Sequence, residues 1–166
     1  MPTFRVRVAK DYLGFSSGHF ITYDGDQCEP LHGHNYYAAV AVEGDLDSNA
    51  YVFNFVTLKK ALRAICDRLD HRMLLPTGNP QITVAPGDDA YTVRANHKTY
   101  VFPREDVVQL PVPNTTSECL ARWLGEQLIA SLQAQGHDLA GLRAVEVEVE
   151  ETIGQRAFCR IDLPAA

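Results

Sequence analysis

Val145-Glu146-Val147-Glu148-Val149-Glu150-Glu151 is the stretch from which the fold can be read. Valines alternate with glutamates at the period of a strand that has one face in a core and the other in water. Glu151 keeps the parity of the valines, so the strand points it inward. A lone inward carboxylate is costly unless paired, and a ligand with adjacent N–H donors is a natural partner. The competing reading is that the chain leaves the strand there at a bulge and Glu151 is solvated.

Working outward, Ala157, Cys159, Ile161 and Leu163 alternate with Phe158, Arg160 and Asp162 in a final strand. Upstream, Thr115-Thr116-Ser117-Glu118 has the T-x-x-E form of a capping box and precedes Leu120, Leu124, Leu128 and Leu132 on one helical face, with Gly136 as the stop. The box accounts for Glu118 by itself. Phe55, Leu58, Leu62, Ile65 and Leu69 predict another amphipathic helix over about 54–69 behind Asn54 as N-cap. Phe4, Val6 and Val8 alternate with Arg5 and Arg7 in a first strand, and Tyr36 to Glu43 reads as a second. From Pro76 to Pro113, short runs (Ile82/Val84, Tyr91/Val93, Tyr100/Phe102) separated by turn residues predict a meander of hairpins. The order β-β-α-(meander)-α-β-β makes a four-stranded antiparallel sheet with both helices on one face the economical solution. That is an α+β layer in one domain over 1–166, with an insertion at about 76–112.

Composition fits this. The chain has 166 residues, 46% hydrophobic and 22% charged, enough to bury a core. Fifteen Lys+Arg against 21 Asp+Glu give a net charge of -6, a field that repels nucleic acid and anionic lipid. No apolar run approaches the roughly 18 residues of a membrane span, and Met1-Pro2-Thr3-Phe4-Arg5 has no apolar leader, so the cytoplasm is the expected compartment. Cys28, Cys66, Cys119 and Cys159 are scattered without a CxxC pair, as suits free thiols.

The chemistry concentrates in Cys28-Glu29-Pro30-Leu31-His32-Gly33-His34. Residues i and i+2 of a strand point the same way, about 6–7 Å apart, so His32 and His34 can share an ion. His19, at the end of the first strand region, could supply a third nitrogen. Three histidines with a fourth position open are a catalytic zinc arrangement; a merely polar strand start is the bland alternative. Cys28 is placed where zinc would acidify its thiol into a base or nucleophile, and Glu29 is its rival as general base. Asp70-His71 could orient an imidazole for proton transfer, or His71 could simply face the helix dipole. His97 and His137 fall in loops and take no role.

Together these pieces resemble the 6-pyruvoyl-tetrahydropterin synthase / 6-carboxy-tetrahydropterin synthase family, small zinc enzymes of the tunnelling fold. The resemblance is carried by FSSGHF around His19, C-x-x-x-HGHNY from Cys28 to Tyr36, LDHRMLL around Asp70 and His71, NTTSE at 114–118, and EET ending in Glu151 and Thr152. It implies zinc on His19, His32 and His34, Cys28 as the proton-abstracting base, and Asp70 with His71 as a relay. It also implies Glu151 as the pterin anchor, with Thr116 and Glu118 as further substrate-binding residues. The implied substrate is 7,8-dihydroneopterin triphosphate, and the leading expected product is 6-carboxy-5,6,7,8-tetrahydropterin, on the route to queuosine-type 7-deazaguanine nucleosides. Triphosphate elimination to 6-pyruvoyl-tetrahydropterin comes next, and a pterin-binding protein without catalysis is the reading from another class. The implied assembly is a homohexamer, two stacked trimers whose sheets close into a barrel with sites between subunits.

Three departures stand out. Asn54 and Thr115 replace the family's Asp and Pro, and the long stretch between His71 and Asn114 suggests a lid or altered substrate mouth. Cys28 and Glu29 together satisfy both the C-x-x-x-HGH pattern of the synthases and the E-x-x-HGH pattern of paralogues that form 6-hydroxymethyl-dihydropterin.

Overall fold

β1 spans Phe4–His19 and is followed by two-residue strands β2 (Thr22–Tyr23) and β3 (Gln27–Cys28), then by β4 (His32–Gly44). α1 (Phe55–Leu69) leads into β5 (Arg72–Pro76), the meander β6 (Ile82–Pro86), β7 (Ala90–Ala95) and β8 (Lys98–Pro103), and β9 (Val107–Leu110). α2 (Ser117–Ala134), β10 (Leu142–Thr152) and β11 (Gln155–Asp162) complete the order in this computed structural model, which describes residues 3–164.

The four expected strands pair antiparallel in the order β11-β10-β4-β1, but the sheet does not stop there. β5 adds to β1 in parallel and β9 adds to β5 in parallel, so the sheet is mixed and six-stranded rather than four-stranded and antiparallel. β5 and β9 are the flanks of the expected insertion, and only β6, β7 and β8 form the separate antiparallel meander. Short apolar runs such as Met73-Leu74-Leu75 carry no alternation that distinguishes a buried parallel strand from a loop.

α1 packs on β1, and α2 lies across β10 and β11. Their buried residues, among them Leu58, Leu62, Leu124 and Leu128, join Val40, Val42, Val145, Val147 and Val149 in the main core. α2 approaches β11 so closely that a Cβ on Gly125 would stand 2.8 Å from Ile161 Cδ1. Asn54 caps α1, accepting from the N–H of Val56 at 2.7 Å. Past α2, Gly136 at φ 78 sends its N–H to Gln133 O, and His137 N–H reaches Leu132 O, a Schellman closure.

The expected capping box is displaced by one residue. Thr116 is the N-cap, accepting from Cys119 N–H, while Thr115 is fully buried and its hydroxyl donates to Phe20 O. Glu118 is therefore not consumed by a cap. The glutamates of β10 keep their outward parity, but that face is not all in water: Glu148 is only 6% exposed, held between Arg7 and Arg156 opposite the helices.

Candidate active site

The core face of the sheet continues past the cover of the helices, and there its residues turn polar. On β1 the inward row runs Leu13, Phe15, Ser17, His19, all buried. On β4 the corresponding row is His32, His34, Tyr36, Ala38, Val40, Val42. The two strands pair His19 with His32 and Ser17 with His34, so three imidazoles project from one patch. Their ring centroids are 4.7, 5.3 and 4.8 Å apart, and one ligand atom from each lies within 4.8 Å of the others. Gly33 lets the strands close here, since a Cβ would stand 2.9 Å from Ser17 O.

The rings are oriented by carbonyls. His19 Nδ1 lies 3.0 Å from Thr115 O and His32 Nδ1 lies 2.8 Å from Pro30 O. A carbonyl only accepts, so each Nδ1 carries the hydrogen and each Nε2 presents its lone pair inward. Burial, reinforced by His32, pushes the His19 pKa down to about 4, which keeps it neutral. Glu151 enters from β10 at an irregularity after Glu150, yet it faces the site. Its Oε1 is 3.4 Å from both His19 Nε2 and His34 Nε2. Tyr36 Oη is 3.1 Å from His19 Nε2 and donates to Glu151 Oε1 at 3.5 Å. Burial and the Glu151 charge raise the tyrosine pKa, keeping it a phenol. The Nε2 atoms of His19 and His34 thus both lie against one carboxylate oxygen, and the three histidines bring ligand atoms within reach of a single divalent cation.

The consecutive residues 28 and 29 part company. Glu29 Oε2 lies 3.9 Å from His32 Nε2 and accepts from Ile21 N–H at 3.4 Å. The Cys28 side chain packs against a second apolar cluster built from Phe20, Met73, Leu75 and the meander, and burial raises its pKa. A cavity of about 730 Å³ is lined by His19, His32, His34, Glu29, Glu118 and Glu151, with Thr116 and Ser117 at the start of α2. Cys28 is not on its wall, nor is any residue of the meander, so the expected lid is not over this mouth.

Asp70 and His71 form their pair, with His71 Nδ1 3.0 Å from Asp70 Oδ2, but away from this cavity. Asp70 also accepts from Ser16 N–H at 2.7 Å, the main cause holding its carboxyl below the usual range. His71 is 83% exposed and lines, with Arg72 and Asp106, an adjoining cavity whose wall also includes His32 and His34. Tyr36 and Ser117 are site residues to which sequence reasoning assigns no role. Tyr36 has a signal in its parity with His32 and His34. Ser117, whose buried hydroxyl has no protein partner among the described residues, carries no local signal.

The sequence profile of the family described as 6-pyruvoyl tetrahydropterin synthase matches residues 8–162. A Methanocaldococcus jannaschii protein provisionally named 6-carboxy-5,6,7,8-tetrahydropterin synthase is 34% identical over 149 residues, covering 89% of this chain and 90% of its own. The crystal structure of Plasmodium vivax 6-pyruvoyltetrahydropterin synthase superposes with a TM-score of 0.91 at 27% identity, covering 98% of this chain and all of that one. A variant of that protein, described as carrying alanine in place of a catalytic glutamate, superposes at 0.90 with 26% identity over the same shares. With the tunnelling fold in place and the match running nearly end to end, the chain belongs to the 6-pyruvoyl tetrahydropterin synthase family and is a pterin lyase of that type.

Proposed function

We propose that this chain is a zinc-dependent lyase that cleaves the side chain of 7,8-dihydroneopterin triphosphate, with Glu29 as the base and 6-hydroxymethyl-dihydropterin as the product. The observation that carries the reading is the parting of residues 28 and 29: the carboxylate is turned to the three histidines and the thiol to an apolar cluster. The Plasmodium vivax relative with a catalytic glutamate supports it. His19, His32 and His34 would hold the zinc, which when bound polarises the substrate's side-chain oxygens.

Glu29 takes the proton of the 2′-hydroxyl, the C1′–C2′ bond breaks, and its electron pair passes into the conjugated imine of the dihydropterin ring. The proton held on Glu29 is returned to C1′, and the two-carbon aldehyde departs with the triphosphate, so no co-reactant is consumed. Glu151, kept in place by Tyr36, accepts from the ring's N–H donors, with Thr116 and Glu118 on the same wall. Asp70 and His71 line no part of this cavity, and this reading keeps the expected homohexamer, in which they would serve another copy's site.

A second reading, formation of 6-carboxy-5,6,7,8-tetrahydropterin with Cys28 as base, is favoured by the name of the Methanocaldococcus jannaschii relative. Mass spectrometry of products from the zinc-loaded protein and 7,8-dihydroneopterin triphosphate separates the two. The first reading expects 6-hydroxymethyl-dihydropterin, a loss of about 10²–10⁴-fold in rate for Glu29→Ala, and a mild effect for Cys28→Ala. A 6-carboxy product lost in Cys28→Ala and kept in Glu29→Ala would establish the second. Tight pterin binding without turnover would sink both.

A further inference from the structure

We propose that Lys98 is a positioning residue: its ammonium grips the carbonyls of Cys28 and Glu29 and thereby sets which of these two neighbours faces the histidines. The idea rests on Glu29 being the base. The segment that carries residues 28 and 29 has little structure of its own. β2 and β3 share only two residue pairs, joined through a turn with Asp24 and Gly25 at φ 45 and 83. Glu29 N–H reaches Ile21 O at 3.0 Å, but the next residue is Pro30, which has no N–H to give.

What fixes the other edge comes from the meander. Lys98 Nζ donates to Cys28 O at 3.1 Å and to Glu29 O at 2.7 Å. Successive carbonyls of an extended chain point to opposite sides, so bringing both to one cation imposes a defined twist between residues 28 and 29. That twist is the one observed with the carboxylate toward His32 and the thiol toward the meander. Lys98 is itself well anchored. It opens β8 after the Asn96-His97 turn, where Asn96 Nδ2 donates to Asp26 O at 2.7 Å. Tyr100 of the same strand stacks on buried Phe20 with ring centroids 5.4 Å apart. Lys98 is not on the wall of the histidine cavity, so its influence on substrate passes through Glu29. The meander is in this sense a buttress for the base.

Lys98→Met keeps the alkyl stem and removes the cation. Two readouts are taken on the zinc-loaded enzyme: kcat and KM with 7,8-dihydroneopterin triphosphate, and the rate of Cys28 alkylation by iodoacetamide, followed by peptide mass spectrometry. The expected result is a fall in kcat of about 10–100-fold with KM and zinc content unchanged. Alkylation is compared at a pH where the thiol is ionised in both proteins, so that loss of the Lys98 charge does not change the thiolate fraction. Cys28 alkylation should then rise about fivefold as the peptide is freed to turn the thiol outward. Lys98→Arg, which keeps a cation within reach of the carbonyls, should restore both toward wild type. Unchanged kcat and unchanged alkylation in Lys98→Met would overturn the proposal, as would a kcat loss that tracks zinc loss. If Lys98→Met does not fold, Lys98→Gln takes its place in the same two measurements. Alkylation is independent of the reaction catalysed: faster labelling in a protein that does not turn over the pterin keeps this proposal and removes the functional one.

Discussion

Acidifying the metal-free protein is expected to cost more stability than its carboxylates explain, and the excess traces to His19. Its side chain is 1% exposed, and burial together with His32 pushes its pKa from 6.5 down to about 4. Because the folded value lies below the unfolded one, the unfolded chain binds the proton first as pH falls. The contribution is fully present above about pH 6.5 and is lost on the way down through 4. Linkage puts the loss at about 2 kcal/mol by pH 5 and about 3 kcal/mol by pH 4. With the imidazole out of water, solvent screening does not reduce these figures appreciably. The assay is urea unfolding of chelator-stripped protein at pH 7 and pH 5, for wild type and for His19→Gln, which cannot titrate but leaves every other ionisable group in place. Wild type should lose about 2 kcal/mol more than the variant over that interval. Equal losses, or a larger loss in the variant, would refute the picture of a buried neutral imidazole and with it the pre-set lone pair at Nε2.

Gly33→Ala places a Cβ 2.9 Å from Ser17 O and 3.6 Å from Gly18 Cα, both backbone, so β1 and β4 must part between the histidine pairs. A stability loss of about 1–3 kcal/mol is expected, with zinc affinity by equilibrium dialysis weakened at least about tenfold; unchanged affinity would contradict the close approach. Metal analysis of the isolated protein should find about one zinc per chain, lost in His32→Ala. Normal zinc in both His19→Ala and His34→Ala would remove the three-histidine site.

Much of this molecule is local and therefore legible in one dimension. Period-2 alternation locates β10 and β11, Asn54 and the leucine spacing locate the helices, and the i, i+2 rule puts His32 and His34 on one face. Parity alone aims Glu151 inward, and the fold honours it despite the irregularity after Glu150. The parallel strands β5 and β9 stay hidden because their pairing is non-local, and their short apolar runs look the same in a sheet or a loop. The capping box shifts by one residue because two threonines compete for the cap. Only packing decides that Thr115 is spent on Phe20 O and the His19 ring. Residues 28 and 29 show the same division most sharply. Their neighbourhood to His32 is written in the sequence, as is the fact that two consecutive side chains diverge. Which of them meets the histidines depends on a lysine 70 positions away from Cys28 gripping the carbonyls between, a contact that exists only once the meander has folded against the main sheet.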